Sequence, residues 1–264
     1  MRRWASRILG ALALAYAAMV GGLYAAQERF IYPAPQTRHA PASGFATATL
    51  ATADGLALQA HWRAPTTGRP SIVFFHGNGG SLALAAHETR GFAAEGYGVL
   101  LVEYRGYGGN PGSPSEGGFY RDGRAAMAFL AKQGIAPART VIIGHSLGTG
   151  TASEMAQEFA PAALVLLAPF TSLPDAAAEA MPMVPARWLV RGQFENIAKV
   201  PDLALPVLIL HGTADRVVPF ALGERLAKAA PGATFRAVAG AEHMISIEAQ
   251  VQAAQLEWLA AQGF

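Results

Sequence analysis

An α/β fold with a mostly parallel central sheet, covered by helices on both faces, is the fold class that this sequence predicts. Short apolar runs alternate with longer stretches of helical composition over most of the chain. Such alternation is typical of parallel sheets whose strands are buried on both sides. The 264 residues are 52% hydrophobic, which suits one medium-sized domain. No internal repeat or low-complexity linker indicates a second one.

The first 29 residues form a separate segment, because residues 8–26 carry no charged side chain. A helix of that length spans about 28 Å, close to the hydrocarbon thickness of a bilayer. Three arginines precede it, and Glu28 and Arg29 follow it. This arrangement predicts a single-pass membrane anchor with a cytoplasmic N-terminus and the rest of the chain on the far side.

Two other interpretations of this segment stay open. A cleaved secretory signal would release the protein, and residues 15–17, Ala-Tyr-Ala, fit the cleavage pattern. An amphipathic or core helix is disfavoured because the segment has no polar face.

The remaining domain, residues 30–264, is expected to begin with an antiparallel hairpin. After a Pro-rich link over residues 33–41, two strand-like stretches at residues 47–50 and 56–62 flank Asp54-Gly55. An Asp-Gly pair between such stretches favours a tight turn.

Six further strands and five helices are predicted downstream of the hairpin. The strands are expected at residues 71–75, 99–102, 141–143, 164–167, 207–210 and 234–238, and the helices at residues 82–95, 119–133, 149–159, 220–229 and 245–261. Reactive groups of such sheets gather at the carboxyl ends of the strands. The loops at residues 76–80, 144–148 and 211–215 follow strands and are therefore the candidate site.

The loop at residues 144–148 reads Gly-His-Ser-Leu-Gly. A serine hydroxyl is a weak nucleophile at neutral pH, so a hydrolase exposes it on a sharp turn and supplies a base. The two glycines permit such a turn between a strand and a helix. The pattern predicts that Ser146 is a nucleophile.

Residues 170–206 interrupt the alternation and are predicted to form a short cap. The segment contains five prolines, the last of them Pro206, and several large apolar side chains, among them Met181, Met183 and Trp188. One interpretation is a lid whose side chains line an acyl pocket, since Met and Trp adapt to irregular apolar ligands. The other is ordinary packing of a connecting segment.

Several sequence blocks together resemble the α/β-hydrolase superfamily, and in particular its short-capped, membrane-anchored subgroup that includes depalmitoylating serine hydrolases. The matching blocks are Phe30-Ile31-Tyr32-Pro33, Phe75-His76-Gly77-Asn78-Gly79, Tyr104-Arg105-Gly106-Tyr107-Gly108, Gly144 to Gly148 and His211-Gly212-Thr213-Ala214-Asp215. The resemblance covers nearly all of residues 30–264 and implies the fold and serine chemistry of that superfamily.

The order of catalytic residues in that superfamily is nucleophile, acid, histidine. Here Ser146 precedes Asp215 and His243. The resemblance thus implies that His243 accepts the serine proton and that Asp215 orients His243. Asp175 is the alternative acid, because some members of the fold place it there. Among the other histidines, His76 and His211 are expected to brace their loops.

The resemblance also assigns the oxyanion hole to the backbone N–H groups of Asn78 and Leu147. Preorganised donors of this kind stabilise the charge that develops on the substrate carbonyl. Tyr107 is a further candidate for contact with substrate, although its block is expected to be mainly structural.

Composition argues against several other functions. The chain has a net charge of +2, but the excess lies in the N-terminal segment, so the domain lacks the basic face that nucleic acid requires. There is no cysteine, which excludes disulfides and thiolate metal sites. No His-Glu-x-x-His motif is present, and the predicted mechanism requires neither a metal nor a cofactor.

The sequence therefore predicts a membrane-anchored serine hydrolase that cleaves carboxylic esters or thioesters, with lipid-like acyl groups favoured by the apolar cap. A peptidase or amidase is the first alternative, because the same triad cleaves amides. A non-catalytic binding module of the same fold is the second. The sequence does not indicate an oligomeric state.

Overall fold

A computed structural model describes residues 2–264, and its centre is one eight-stranded sheet of order β1-β2-β4-β3-β5-β6-β7-β8. The strands are β1 (Ala46–Ala51), β2 (Ala57–Arg63), β3 (Ser71–Phe75), β4 (Gly98–Val102), β5 (Thr140–His145), β6 (Ala163–Leu167), β7 (Val207–Gly212) and β8 (Thr234–Val238). The hairpin β1–β2 and the pair β2–β4 are antiparallel, and the other neighbours are parallel. The predicted mostly parallel sheet is confirmed.

Ten helices accompany the strands. They are α1 (Arg2–Ile31), α2 (Leu82–Glu88), α3 (Arg90–Ala94), α4 (Glu116–Lys132), α5 (Gly148–Phe159), α6 (Leu173–Ala180), α7 (Ala186–Leu189), α8 (Asn196–Lys199), α9 (Phe220–Ala229) and α10 (Ala249–Ala261). Three short 3₁₀ turns lie at Pro137–Arg139, Val200–Asp202 and Ile245–Ile247.

The two faces of the sheet bury separate apolar cores, because successive side chains of a strand point to opposite faces. Val73 and Phe75 of β3 belong to the core under α4, α5 and α9. Ile72 and Phe74 belong to the core under α2, α3 and α10. This double burial explains why the parallel strands read as solid apolar runs rather than as alternating ones.

Two predicted helices are interrupted in the structure. The stretch expected at residues 82–95 divides at Thr89, whose backbone has φ −110° and whose hydroxyl donates to the carbonyl of Ala85. The stretch expected at residues 245–261 begins with a 3₁₀ turn, and Glu248 is extended before α10 starts. In both places a non-helical residue separates two helical segments.

Helix α1 is 30 residues long. It is apolar enough over Arg3–Ile31 to cross a membrane, by length and composition. Most of its side chains are exposed, but its C-terminal half lies along the cap formed by α6 and α7.

Candidate active site

Ser146 lies at the turn between β5 and α5 and has the left-handed backbone conformation, with φ +51°. Few residues other than glycine adopt this conformation, so a serine that adopts it is in a strained position. The turn needs glycine on both sides. A Cβ at Gly144 would lie 2.6 Å from the carbonyl oxygen of Gly148. A Cβ at Gly148 would collide with the carbonyl oxygen of Phe75. Gly144 thus lets β5 approach the start of α5, and Gly148 lets α5 approach the end of β3.

The side chains of Ser146, His243 and Asp215 form one continuous chain of hydrogen bonds. Nε2 of His243 lies 2.9 Å from Ser146 Oγ, and its Nδ1 lies 2.7 Å from Asp215 Oδ2. The carboxylate only accepts, so Nδ1–H donates to it, and Nε2 is left to accept the serine proton. The three residues predicted from the sequence are brought together in the order that nucleophilic catalysis requires.

Asp215 is held ionised by its surroundings. It is buried and follows β7, and its Oδ1 accepts the N–H groups of Val217 and Val218. Burial raises the pKa of this carboxyl, but hydrogen bonds from His211 and His243 outweigh burial and hold the pKa well below its usual range. A permanently charged carboxylate stabilises the imidazolium that forms when His243 takes a proton.

The backbone N–H groups of Asn78 and Leu147 lie on the loops that border Ser146. Asn78 lines the cavity at Ser146, and Leu147 immediately follows the serine at the N-terminus of α5. Neither N–H group donates to another atom within residues 2–264. Two unpaired donors beside a nucleophile are what an oxyanion hole requires.

The carbonyl of Gly77 is fixed by two donors. Nδ1 of His76 lies 2.7 Å from this oxygen, and the N–H of Gly80 donates to it at 3.0 Å. In a trans peptide the C=O and the next N–H point in opposite directions. Holding the Gly77 carbonyl toward His76 therefore turns the N–H of Asn78 away from His76.

His76 is itself positioned by Glu103. Its Nε2 donates to Glu103 Oε1 at 2.9 Å, and both side chains are buried. Burial lowers the pKa of His76, but the hydrogen bond and charge of Glu103 outweigh this and raise the pKa above its ordinary value. Both ring nitrogens thus face acceptors, which suits the protonated ring. The predicted bracing roles of His76 and of His211, whose Nε2 donates to the Val218 carbonyl, agree with these contacts.

A second histidine–glutamate pair lies behind His243, and no sequence pattern indicates it. His145 contacts Glu88 Oε1 through Nδ1 at 3.0 Å and donates from Nε2 to the backbone carbonyl of His243 at 3.1 Å. The hydroxyl of Ser246 donates to the same carboxylate oxygen. Burial raises the pKa of Glu88, but its bond to His145 outweighs this and lowers the pKa. These groups tie the loop that carries His243 to β5 and α2.

The cavity at Ser146 is small, about 130 Å³. It is lined by the glycine-rich loop after β3 and by Leu84, Glu88, His145, Ser146, His243 and Met244. Pockets that enclose a whole drug-sized ligand usually have volumes of about 300–1,000 Å³. This cavity encloses only the part of a substrate that is next to the reacting bond.

The four residues predicted to contact substrate do not line this cavity. Tyr107 is fully buried and packs on Tyr104 and Phe119 within the core. Met181 faces α1, whereas Met183 and Trp188 are exposed to solvent. The prediction that the cap lines an acyl pocket at Ser146 is corrected accordingly, because the cap packs along α1.

Asp175, the alternative acid, lies in α6 and is engaged by other groups. It accepts from Thr171 and contacts the guanidinium groups of Arg187 and Arg225. His243 is not among its contacts, so the geometry favours Asp215. No group of three or more His, Asp or Glu side chains within residues 2–264 is arranged to hold a metal ion.

Comparisons with known proteins agree with the fold. A protein-family model described as alpha/beta hydrolase fold matches residues 70–198. An uncharacterized protein of Mycobacterium tuberculosis is 36% identical over 231 residues, which cover 84% of this chain and 82% of that protein.

Two further proteins that are similar to this chain are named for a hydrolytic activity. A lysophosphatidylserine lipase of Danio rerio is 34% identical over 178 residues, or 60% of this chain and 46% of the lipase, so this chain spans about half of its length. A puromycin-hydrolyzing peptidase of Mycobacterium tuberculosis superposes with a TM-score of 0.66 at 26% identity, covering 84% of this chain and 40% of the peptidase.

Proposed function

Because this chain belongs to the α/β-hydrolase family, we propose that it is a serine hydrolase that cleaves carboxylic esters or thioesters through an acyl-enzyme. The observation that carries the proposal is the unbroken contact from Asp215 through His243 to Ser146, with the free N–H groups of Asn78 and Leu147 beside it. Nucleophile, base, orienting acid and oxyanion donors are all supplied by one small region.

In the proposed mechanism Ser146 Oγ attacks the substrate carbonyl while His243 Nε2 takes its proton. The oxyanion is stabilised by the two backbone donors, each worth about 3 to 4 kcal/mol of transition-state stabilisation. His243 then donates the proton to the leaving oxygen or sulfur, which gives the acyl-enzyme on Ser146. A water molecule, deprotonated by His243, releases the acid by the same steps in reverse order.

The substrate class follows from two observations. The small cavity beside Ser146 suits a short portion of substrate, so a long acyl or alcohol group would extend beyond the enclosed volume. The relationship to a lysophosphatidylserine lipase supports lipid-like esters. We therefore propose an ester or thioester of a lipophilic acid whose chain lies largely outside the cavity at Ser146.

The first test combines a covalent probe with a substrate panel. A fluorophosphonate should label the wild-type protein, whereas Ser146→Ala should remain unlabelled. Equal labelling of both would refute the nucleophile assignment, and no labelling of the folded wild type would favour a non-catalytic binding module. p-Nitrophenyl esters of increasing chain length, acyl-thioesters and aminoacyl amides should then be compared by kcat/KM, with esters and thioesters cleaved fastest.

A peptidase or amidase is the second candidate, supported by the likeness to a puromycin-hydrolyzing peptidase. The triad itself does not select the leaving group. Faster turnover of aminoacyl amides than of esters in the same panel would establish this alternative.

We further propose that α1 anchors the protein in a membrane, with the N-terminus cytoplasmic and the hydrolase domain on the other side. The length and apolar character of Arg3–Ile31 and the arginines before it support this. N-terminal sequencing of protein from the membrane fraction distinguishes a retained anchor from a cleaved signal. Protease protection in sealed vesicles reports the side on which the domain lies.

A further inference from the structure

The cap lies alongside α1 rather than touching only its end. The hydroxyl of Tyr16 donates to the backbone carbonyl of Met183 at 2.7 Å. Eleven residues later, the amide of Gln27 donates to the carbonyl of Leu189 at 3.2 Å and accepts the N–H of Arg191 at 2.7 Å. At 1.5 Å per residue these two contacts are about 16 Å apart along the helix. The cap therefore follows the second half of α1.

This contact fixes the level of the cap relative to the proposed anchor. Tyr16 lies near the middle of the uncharged residues 8–26. The guanidinium of Arg191 lies 4.6 Å from the ring centroid of Tyr24 and marks the polar end of the contact. Tyr16 is about 12 Å further along the helix, and the hydrocarbon of one leaflet is about 15 Å thick. A helix anchored by residues 8–26 thus carries the turn of the cap down to the level of lipid chains.

The side chains of this turn, residues 181–189, suit that environment. Met183 is 80% exposed and Trp188 is 87% exposed, although both are large and apolar. They continue the exposed apolar surface of α1. Arg187 is the single charged residue of the turn, and it is paired with Asp175 at 2.9 Å. A contiguous apolar surface of this kind marks an interaction site.

Much of the backbone of the turn is paired within the protein, which favours a medium without water, where unpaired polar groups are costly. Pro182 and Pro185 have no N–H group to satisfy. Of the seven other N–H groups of the turn, those of Met181, Val184, Ala186 and Trp188 donate to carbonyls within the cap. The carbonyls of Met183 and Leu189 accept from Tyr16 and Gln27 of α1. Helix α1 thus supplies donors to two carbonyls that water would otherwise satisfy.

We propose that the turn of the cap at residues 181–189 inserts into the bilayer beside α1, with Met183 and Trp188 in contact with lipid acyl chains. The proposal rests on the anchoring role proposed for α1. An apolar groove of about 300 Å³ between α1 and α6 belongs to the same surface, and its lining includes Leu23, Phe30, Ile31, Ala177, Ala180 and Met181. The hydrolase domain is accordingly held at the membrane surface in one orientation.

Spin labelling tests the insertion directly, because the chain has no cysteine and every introduced thiol is unique. Met183→Cys, Trp188→Cys, Leu12→Cys and Lys132→Cys would each be made in the full chain. Each labelled protein would be reconstituted into vesicles of phosphatidylcholine and phosphatidylglycerol. Power saturation with oxygen, which concentrates in lipid, and with a water-soluble nickel chelate gives the environment of each label. Leu12 reports insertion of α1, and Lys132, exposed at the far end of α4, reports the aqueous side.

The expected result is that labels at positions 183, 188 and 12 are relaxed by oxygen and protected from the nickel chelate, whereas the label at 132 shows the reverse. Nickel access at 183 and 188 equal to that at 132, with position 12 in lipid, would overturn the insertion and leave the anchor intact. Nickel access at position 12 as well would overturn both the insertion of the turn and the anchoring role of α1. Low access of both reagents to the labels at 183 and 188 would indicate a protein contact, such as a second copy of the chain. This result would also overturn the insertion of the turn into the bilayer.

Discussion

Ser146 and His243 are 97 residues apart in the chain, yet Ser146 Oγ lies 2.9 Å from His243 Nε2. The two loops that carry them are joined a second time, because His145, the neighbour of the serine, donates to the backbone carbonyl of His243 at 3.1 Å. The nucleophile and its base are therefore held by a side-chain contact and by a main-chain contact. This double link limits how far His243 can move away from Ser146.

Replacing Asp215 by Asn should abolish most activity without unfolding the protein. The amide can donate to His243 Nδ1, which favours the wrong tautomer and leaves Nε2 protonated, so kcat should fall by about 10⁴. The matched control is Asp175→Asn, since Asp175 contacts Arg187, Arg225 and Thr171 rather than His243. Steady-state hydrolysis of a p-nitrophenyl ester measures both. A comparable loss of kcat in Asp175→Asn would contradict the assignment of Asp215 as the acid that orients His243.

Stability should decrease at acid pH because of Asp215. Its pKa lies below the usual range in the folded protein, whereas an unfolded chain has an aspartate pKa of about 3.9. The ionised group thus contributes stability above pH about 4, and this contribution is lost as the pH falls toward the lower folded pKa. Guanidinium denaturation at a series of pH values should show it. Asp215→Asn cannot titrate, so its stability should decline less over the same acid interval, and an identical decline would contradict the assignment.

Arg105→Met should be strongly destabilising, because Arg105 neutralises a buried carboxylate. Its guanidinium contacts Asp122, which is fully buried, at 2.8 Å, and Asp54 at the surface. Removing one partner of a buried pair typically costs about 3 to 5 kcal/mol. Arg124→Met is the control, since Arg124 contacts Glu158 at the surface, where such a pair contributes at most about 1 kcal/mol. Similar unfolding free energies for the two variants would argue that Asp122 is not ionised.

Gly148→Ala should disrupt the turn at Ser146, because the added Cβ would collide with the carbonyl oxygen of Phe75. Both β3 and α5 would have to move, so we expect loss of phosphonate labelling together with a lower unfolding free energy. Gly117→Ala is the control. A Cβ there meets nothing within 4 Å, and alanine in a helix is favoured over glycine by up to about 1 kcal/mol. Full activity of Gly148→Ala would show that the turn tolerates a side chain at this position.

The sequence was sufficient to predict the sheet, and it singled out Ser146, Asp215 and His243, whose side chains the structure places in contact. Solid apolar runs mark buried strands, and Gly144 and Gly148 indicate the turn at Ser146 because they directly follow such a run. Asp215 and His243 follow from the order of catalytic residues in the family. Each of these residues lies in a loop directly after a strand, where the sheet itself brings them together.

Contacts between distant segments were beyond the reach of the sequence. Glu88 and His145 are in contact across the fold, but each stands in a pattern that is equally compatible with a surface residue. The cap was rich in Met and Trp, as an acyl pocket would be, yet it packs on α1. The same composition suits a surface against an apolar helix, and only the contact of Tyr16 with Met183 distinguishes the two. Tyr107 was misassigned because burial of a tyrosine in a glycine-rich loop leaves no periodic signal.

His76→Phe should lower kcat with little change in KM, because His76 orients an oxyanion donor without touching the substrate cavity. Phenylalanine retains the packing on Tyr104 and Tyr107 but cannot donate to the Gly77 carbonyl, so the N–H of Asn78 is less firmly oriented. Loss of a donor costs about 10²-fold to 10³-fold in kcat, and we expect a loss of about tenfold to 10²-fold for a donor that is only loosened.

His61→Phe is the control, since His61 is also fully buried but lies in β2, away from the cavity. A parallel denaturation curve separates loss of fold from loss of orientation. Equal kcat values for His76→Phe and His61→Phe would show that the bond from Gly80 suffices to hold the Gly77 carbonyl.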